Sequence, residues 1–259
     1  MIIEYHRPKT IEAALELLAR PEPRTLPLGG GTVLNRPSPD PVAVVDLQAL
    51  GLDRLQQTGN LLTIGAAVTL SALSAQPGLQ PALVKAIQLE LNHNLRQVAT
   101  VGGSLVSADG RSGFATVMLA LDAELEVRAH PTSGFPEREK ISLGDLLPRR
   151  AEYLHRRLIV QVKFPLHVRL AYEAVARTPA DLPILCVALA QWPSGRTRLA
   201  VGGFGTAPSL ALDGPEAGGA EIAAQEACRG SDDEWGSAEY RSAVAGKLAR
   251  RCLENLAHG

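Results

Sequence analysis

Cysteine, aromatic residues and net charge are all scarce in this sequence, and each scarcity removes a class of function. There are 3 cysteines, Cys186, Cys228 and Cys252, widely separated in apolar or helical surroundings. No pair has the spacing of a metal site, and their odd number argues against a disulfide framework. They read as reduced, buried structural thiols, which leaves no ligand set for an iron–sulfur cluster in this chain. The formal net charge is -1, so the chain offers no strong field to nucleic acid or to an anionic membrane surface. No apolar run approaches the ~18 residues that a membrane span needs, and the charged opening Met1–Pro8 does not read as a signal peptide. A cytoplasmic location is expected. Aromatic residues are 4% of the chain, so the core must be aliphatic, and at 46% hydrophobic over 259 residues there is enough of it for two domains.

What the sequence does hold is glycine at two telling places, Leu28-Gly29-Gly30-Gly31-Thr32-Val33-Leu34 and Thr100-Val101-Gly102-Gly103-Ser104-Leu105. Each stretch lies between apolar runs and reads as a tight turn at a strand end. Successive glycines let main-chain N–H groups converge on a concavity that suits a phosphate. Two such turns, each with a threonine hydroxyl, suit a diphosphate and hence a dinucleotide. Neither is the G-x-G-x-x-G fingerprint or a P-loop, because no amphipathic helix follows Leu34 and no Lys-Ser/Thr pair is present.

Local signals order the rest. A strand over 2–5 precedes a helix capped by Thr10, with Ile11, Ala14, Leu15, Leu17 and Leu18 as its apolar stripe. Strands follow at 25–28 and 42–47, the second reached through Pro37-Ser38-Pro39-Asp40-Pro41. Gly59-Asn60 closes a hairpin of 55–58 with 61–65. Helices are expected at 69–75, 81–91 and 114–121, a strand at 123–128, a loop at 130–139 and a short element at 141–146. Beyond a boundary near 150–157 come strands at 158–164, 171–176, 184–192 and 198–203. A connector at 206–220 and helices at 221–227 and 237–256 complete an α+β pattern.

The run Asn94–Leu125 resembles a segment reading I-R-N-x-G-T-I-G-G-N-x-A-N-A-x-P-x-G-D-L-x-P-x-L-L-A-L-D-A in the FAD-binding medium subunits of the molybdenum hydroxylases, the xanthine dehydrogenase and carbon monoxide dehydrogenase class. Arg96, Thr100, Gly102, Gly103, Ala108 and Leu119–Ala123 fall on matching positions. Gly30, Gly31, Thr32 and Leu34 match that family's A-G-G-T-x-L. Weaker matches in the same order run from Tyr5, Pro8 and Thr10 to Tyr172-Glu173 and Ser237–Arg241, so the likeness covers nearly the whole chain.

The resemblance implies an α+β protein with a two-part FAD-binding domain of the PCMH type over 1–155 (subdomains about 1–53 and 54–155), then a smaller C-terminal α+β domain over 156–259. It implies FAD as cofactor, with electrons arriving from an iron–sulfur small subunit and leaving to an external acceptor. Substrate oxidation falls to a molybdopterin large subunit of the same hetero-oligomer. The site expected on these grounds comprises Leu28, Gly29, Gly30, Gly31, Thr32, Val33, Leu34, Thr100, Val101, Gly102, Gly103 and Ser104 around the diphosphate. Val33, Leu34, Leu158 and Ile159 would form apolar walls, and Gly113 and Tyr172 would lie near the flavin. No catalytic side chain and no metal site is expected in this chain. Gly113, Ser104, Val33, Gly110 and Ala174 stand where the family commonly has other residues, Asp at 113 and Lys at 174 among them. Each departure removes a side-chain contact and leaves the main-chain donors.

Other positions have two readings. Arg111 is a phosphate or ribose contact, or a solvated surface residue. His155-Arg156-Arg157 is a solvated basic patch or a partner interface. His93 reads as a turn residue, and Asp232-Asp233-Glu234 as the acidic approach to the last helix. Tyr172 either approaches the flavin or packs as a strand residue. A colourless scaffold subunit and a stand-alone flavin oxidase are the alternatives to the electron-transfer subunit.

Overall fold

The computed structural model describes residues 1–35 and 39–258; Pro37 and Ser38 of the proline-rich loop lie outside the described residues. In chain order the elements are β1 (Ile2–His6), α1 (Ile11–Ala19), β2 (Thr25–Leu28), β3 (Val42–Asp46), β4 (Leu55–Thr58) and β5 (Leu61–Gly65). Then come α2 (Leu70–Ser74), α3 (Pro81–Glu90), α4 (His93–Arg96), α5 (Val101–Ser107), α6 (Gly113–Ala120), β6 (Glu124–Ala129), β7 (Arg138–Ser142), α7 (Leu143–Leu146) and α8 (Arg150–Tyr153). The last are β8 (Arg157–Pro165), β9 (Arg169–Val175), β10 (Leu185–Gln191), β11 (Thr197–Gly202), β12 (Ser209–Gly214), α9 (Ala220–Ala227) and α10 (Ala238–His258). The α+β class is as expected.

Two compact units are built from interleaved segments. The first takes Met1–Ala75, His93–Ser107 and Glu124–Lys163; the second takes Gln76–Asn92, Ala108–Ala123 and the chain from Phe164 onward. A cut near residue 155 falls just before β8, whose strand completes a sheet of the first unit, while α3 and α6 are excursions into the second.

The first unit holds a parallel sheet of order β1-β3-β2 and a five-stranded sheet of order β4-β5-β8-β6-β7. Thr10 caps α1, its Oγ1 accepting from the Ala13 amide at 3.2 Å. That start fixes the helix phase, so Ala14, Leu15 and Leu18 face inward and pack with Val45, Leu47, Leu158 and Val160. Each buried leucine contributes about 1.5–3 kcal/mol relative to exposure. The wall that α1 and β8 share is also one side of the site described below.

The second unit is an antiparallel sheet of order β12-β11-β10-β9. Leu185, Val187 and Leu189 of β10 pack with Ala245, Leu248 and Cys252 of α10. Cys186 faces the opposite side, where its Sγ lies 3.5 Å from Thr116 Oγ1 of α6. Burial on both faces explains why β10 reads as an unbroken apolar run.

Three local expectations change. The second glycine stretch is not a strand-end turn but the start of α5. Thr100 Oγ1 accepts from the Gly103 amide at 3.1 Å, an N-terminal cap that starts the helix despite its glycines. The connector at 206–220 contains β12, an edge strand formed by pairing with β11 across a bulge at Leu199/Ala200. The loop expected at 130–139 ends at Arg138, where β7 pairs with β6. Among the described residues, no helix is long and apolar enough to cross a membrane.

Candidate functional site

The first unit encloses a cavity of about 580 Å³. It forms where β2 ends. The chain leaves β2 at Leu28 and turns back at once, because Gly31 takes the left-handed conformation (φ +70) and the Asn35 amide donates to the Gly31 carbonyl at 3.1 Å. That single helical turn leaves the amides from Gly30 to Leu34 without an acceptor among the described residues. All of these residues line the cavity.

The two glycine stretches lie against each other. A Cβ on Gly29 would stand 2.5 Å from Thr100 Oγ1, and one on Gly30 would stand 2.5 Å from the Val98 carbonyl carbon and closer still to its oxygen. A Cβ on Gly102 would meet the Ala66 Cβ at 2.9 Å and the Ala66 carbonyl oxygen at 3.0 Å. Gly30 and Gly102 are therefore demanded by close approach to Val98 and Ala66, and Gly29 by the Thr100 side chain, rather than by a left-handed turn.

The stretches differ in what they offer a ligand. The Val101 amide donates to Val68 (2.8 Å), Gly102 to Ala66 (2.9 Å), and Ser104 to Thr100 (2.8 Å), while Gly103 is taken by the threonine hydroxyl. Among the described residues the free main-chain donors thus lie mainly in the first stretch; the second adds the Thr100 amide. The second supplies a smooth surface of Thr100, Gly102 and Gly103.

Of the residues singled out from sequence, Gly29–Leu34, Thr100, Gly102, Gly103, Leu158 and Ile159 line this one cavity. Leu28, Val101 and Ser104 are not on its wall. Leu28 is paired with Asp46 in the parallel sheet, and Val101 and Ser104 are buried in α5. Gly113 and Tyr172 belong to the second unit and do not line the cavity. There they meet each other: a Cβ on Gly113 would lie 3.0 Å from Tyr172 Cζ and closer to its hydroxyl. Tyr172 is 2% exposed, and burial pushes its hydroxyl well above the ordinary phenol value.

The cavity's basic residues were less legible. Arg157 is not a solvated patch residue; it is 3% exposed, pairs with Glu139 at 2.5 Å, and stacks on Tyr153 with 4.1 Å to the ring centroid. Its hydrogen bond holds the Glu139 carboxyl below the usual value. Arg20 bonds Glu4 (3.0 Å) and Thr25 (3.1 Å). Arg150 donates to the carbonyls of Val106 (3.0 Å) and Leu147 (2.8 Å). Arg24 and Arg156 also reach the wall. Arg111 is half-buried and not on this cavity. It donates to Leu182 (2.6 Å) and Pro183 (3.0 Å) in the second unit and stacks on Trp235 at 4.2 Å. No group of three or more His, Cys, Asp or Glu residues among those described is placed to hold a metal ion.

Free amides on a helical turn, arginines on the wall, and apolar sides from Leu18, Leu47, Leu158 and Ile159 together fit a phosphate-bearing ligand with a flat aromatic part. A dinucleotide cofactor has that chemistry. Residues 1–167 match the family described as the FAD binding domain in molybdopterin dehydrogenase, and the chain belongs to that family. Its cofactor is FAD, and it is an oxidoreductase component. It is 28% identical over 254 residues to the uncharacterized protein YgfM of Escherichia coli (strain K12), covering 96% of this chain and 94% of that one. It is 25% identical over 280 residues to the carbon monoxide dehydrogenase medium chain of Afipia carboxidovorans, covering 97% and 95%. The fold is shared with a chain in the crystal structure of quinoline 2-oxidoreductase from Pseudomonas putida 86 (TM-score 0.80, 21% identity, 99% of this chain and 97% of that one).

Proposed function

We propose that this chain is the medium subunit of a cytoplasmic molybdenum hydroxylase complex. It carries FAD between an iron–sulfur small subunit and an external acceptor, with a molybdopterin large subunit oxidising the substrate. The observation that carries this reading is the row of amides from Gly30 to Leu34, without an acceptor among the described residues, on the wall of the cavity. The donors would hold the diphosphate through charge-assisted N–H bonds, which need no side chain. Thr100, Gly102 and Gly103 would form the opposing surface, close because Gly29 and Gly30 carry no Cβ toward it. Leu158 and Ile159 would exclude water from one side, lowering the local dielectric around the bound group. When bound, FAD supplies reversible electron uptake and release; the chain's own task is to bind, orient and shield it.

The test is a titration of the purified, cofactor-free chain with FAD. Saturable quenching of flavin fluorescence and absorption bands near roughly 370 and 450 nm, a property of the flavin itself, are expected. A protein that stays colourless and leaves the fluorescence unchanged overturns the reading and favours a scaffold subunit. Substrate turnover by the isolated chain would instead point to a stand-alone oxidase.

A further inference from the structure

Arg156 is placed where the backbone asks for glycine. After α8 the Leu154 amide returns to Arg150, and the Arg157 amide donates to Leu154 at 3.1 Å, closing a turn that drives residue 156 to φ 56. A left-handed residue just past a helix is usually glycine, because a Cβ there crowds the carbonyl. Asp122 is the other non-glycine residue with positive φ among those described, and its side chain explains its presence: it pairs with Arg196 and Arg198, both at 3.0 Å. Among the described residues Arg156 has no such explanation. It is half-buried on the wall of the FAD cavity, and among the described residues its side chain has no carboxylate, carbonyl or ring partner. Its neighbours Arg20, Arg150 and Arg157 are all engaged.

We infer that Arg156 is kept at this strained position to hold a phosphate oxygen of the FAD diphosphate, as a side-chain anchor added to the main-chain donors of Gly30–Leu34. The inference rests on the FAD reading above. Strain retained at a binding position is a recognised trade of stability for function. A guanidinium suits phosphate because its forked donors match two oxygens at once.

The substitution Arg156→Gly separates the two contributions. Calorimetric titrations on cofactor-free chain would use FAD, ADP, adenosine and riboflavin as probes, with melting temperature measured in parallel. The glycine variant is expected to melt no lower than the parent, and to bind FAD and ADP about tenfold or more weakly. Adenosine and riboflavin, which carry no phosphate, should bind it as they bind the parent. Arg156→Lys, which keeps the charge but not the fork, should lie between. Unchanged FAD and ADP affinity in Arg156→Gly overturns the inference and leaves the FAD reading standing. An equal loss for adenosine and ADP also overturns it, because the contact would then be to the base. Failure of the parent chain to bind FAD removes the FAD reading and this inference with it.

Discussion

Gly30→Ala is the sharpest test of why the cavity has glycine on its wall. Gly30 has an ordinary φ, so alanine meets no conformational penalty there; the obstacle is space. The added Cβ would stand 2.5 Å from the Val98 carbonyl carbon, and the next atom, the Ala99 nitrogen, is at 3.1 Å. All are backbone atoms, so no side chain can rotate away. The turn after β2 must separate from the 98–100 segment, at an overpacking cost of about 3 kcal/mol or more. For a chain of this size that corresponds to a melting temperature lowered by roughly 6–12 °C. The control is Gly51→Ala. Gly51 has φ +67 with nothing within 4 Å of its Cβ, so the substitution meets strain without collision. It should cost only about 1 kcal/mol. Thermal and urea unfolding of both variants, with FAD affinity measured in the same samples, would decide. A Gly30→Ala protein as stable as Gly51→Ala would refute the close approach of the two stretches, and with it the shape of the site.

Three further outcomes are expected. Glu90 accepts from Ser112 Oγ (2.7 Å) and the Phe114 amide (3.0 Å), and burial raises its carboxyl above the ordinary 4.5. A raised acid favours the fold most below the unfolded value and loses that contribution as pH climbs through the folded value. Glu90→Gln should therefore flatten the decline in stability on the alkaline side of pH 4.5, and an unchanged slope in pH-dependent unfolding would count against it. Arg241 is 0% exposed and bonds the Ile184 carbonyl (3.1 Å), the Gly236 carbonyl (3.0 Å), the Ser231 carbonyl and Asp233 (2.7 Å). Arg241→Met should cost about 3 kcal/mol or more in chemical unfolding, because several buried acceptors lose their donor together. Burial pushes the thiols of Cys186 and Cys228 up to about 11 and that of Cys252 to about 12. A disulfide-exchange reagent at neutral pH should therefore label none of them in the native protein and all after denaturation.

Much of the fold was legible because its signals are local. Thr10 and Thr69 were read as the starts of α1 and α2, and each accepts from the amide three residues on. Gly59-Asn60 joins β4 to β5 as read from the turn residues. β12 was missed because its flanking Pro208 and Pro215 and its neighbouring glycines read as a connector; it is a strand only because β11 presents an unpaired edge. Helix α5 was missed for the complementary reason. Glycine is a poor helix former, yet Gly102 must be small to lie against Ala66. Arg111 looks like any surface arginine until Trp235 and two carbonyls close around it.

Sequence by itself determined the local geometry: where helices begin, where strands alternate, and where glycine gathers. Those outcomes follow from torsional preference and side-chain size, which a residue carries wherever it is placed. Only the tertiary structure decided which amides remain available to a ligand. The glycine stretches look equivalent in sequence, but Ala66 and Val68 supply carbonyls to one, and among the described residues nothing supplies them to the other. A hydrogen bond needs a partner at the right place, and that partner comes from elsewhere in the chain.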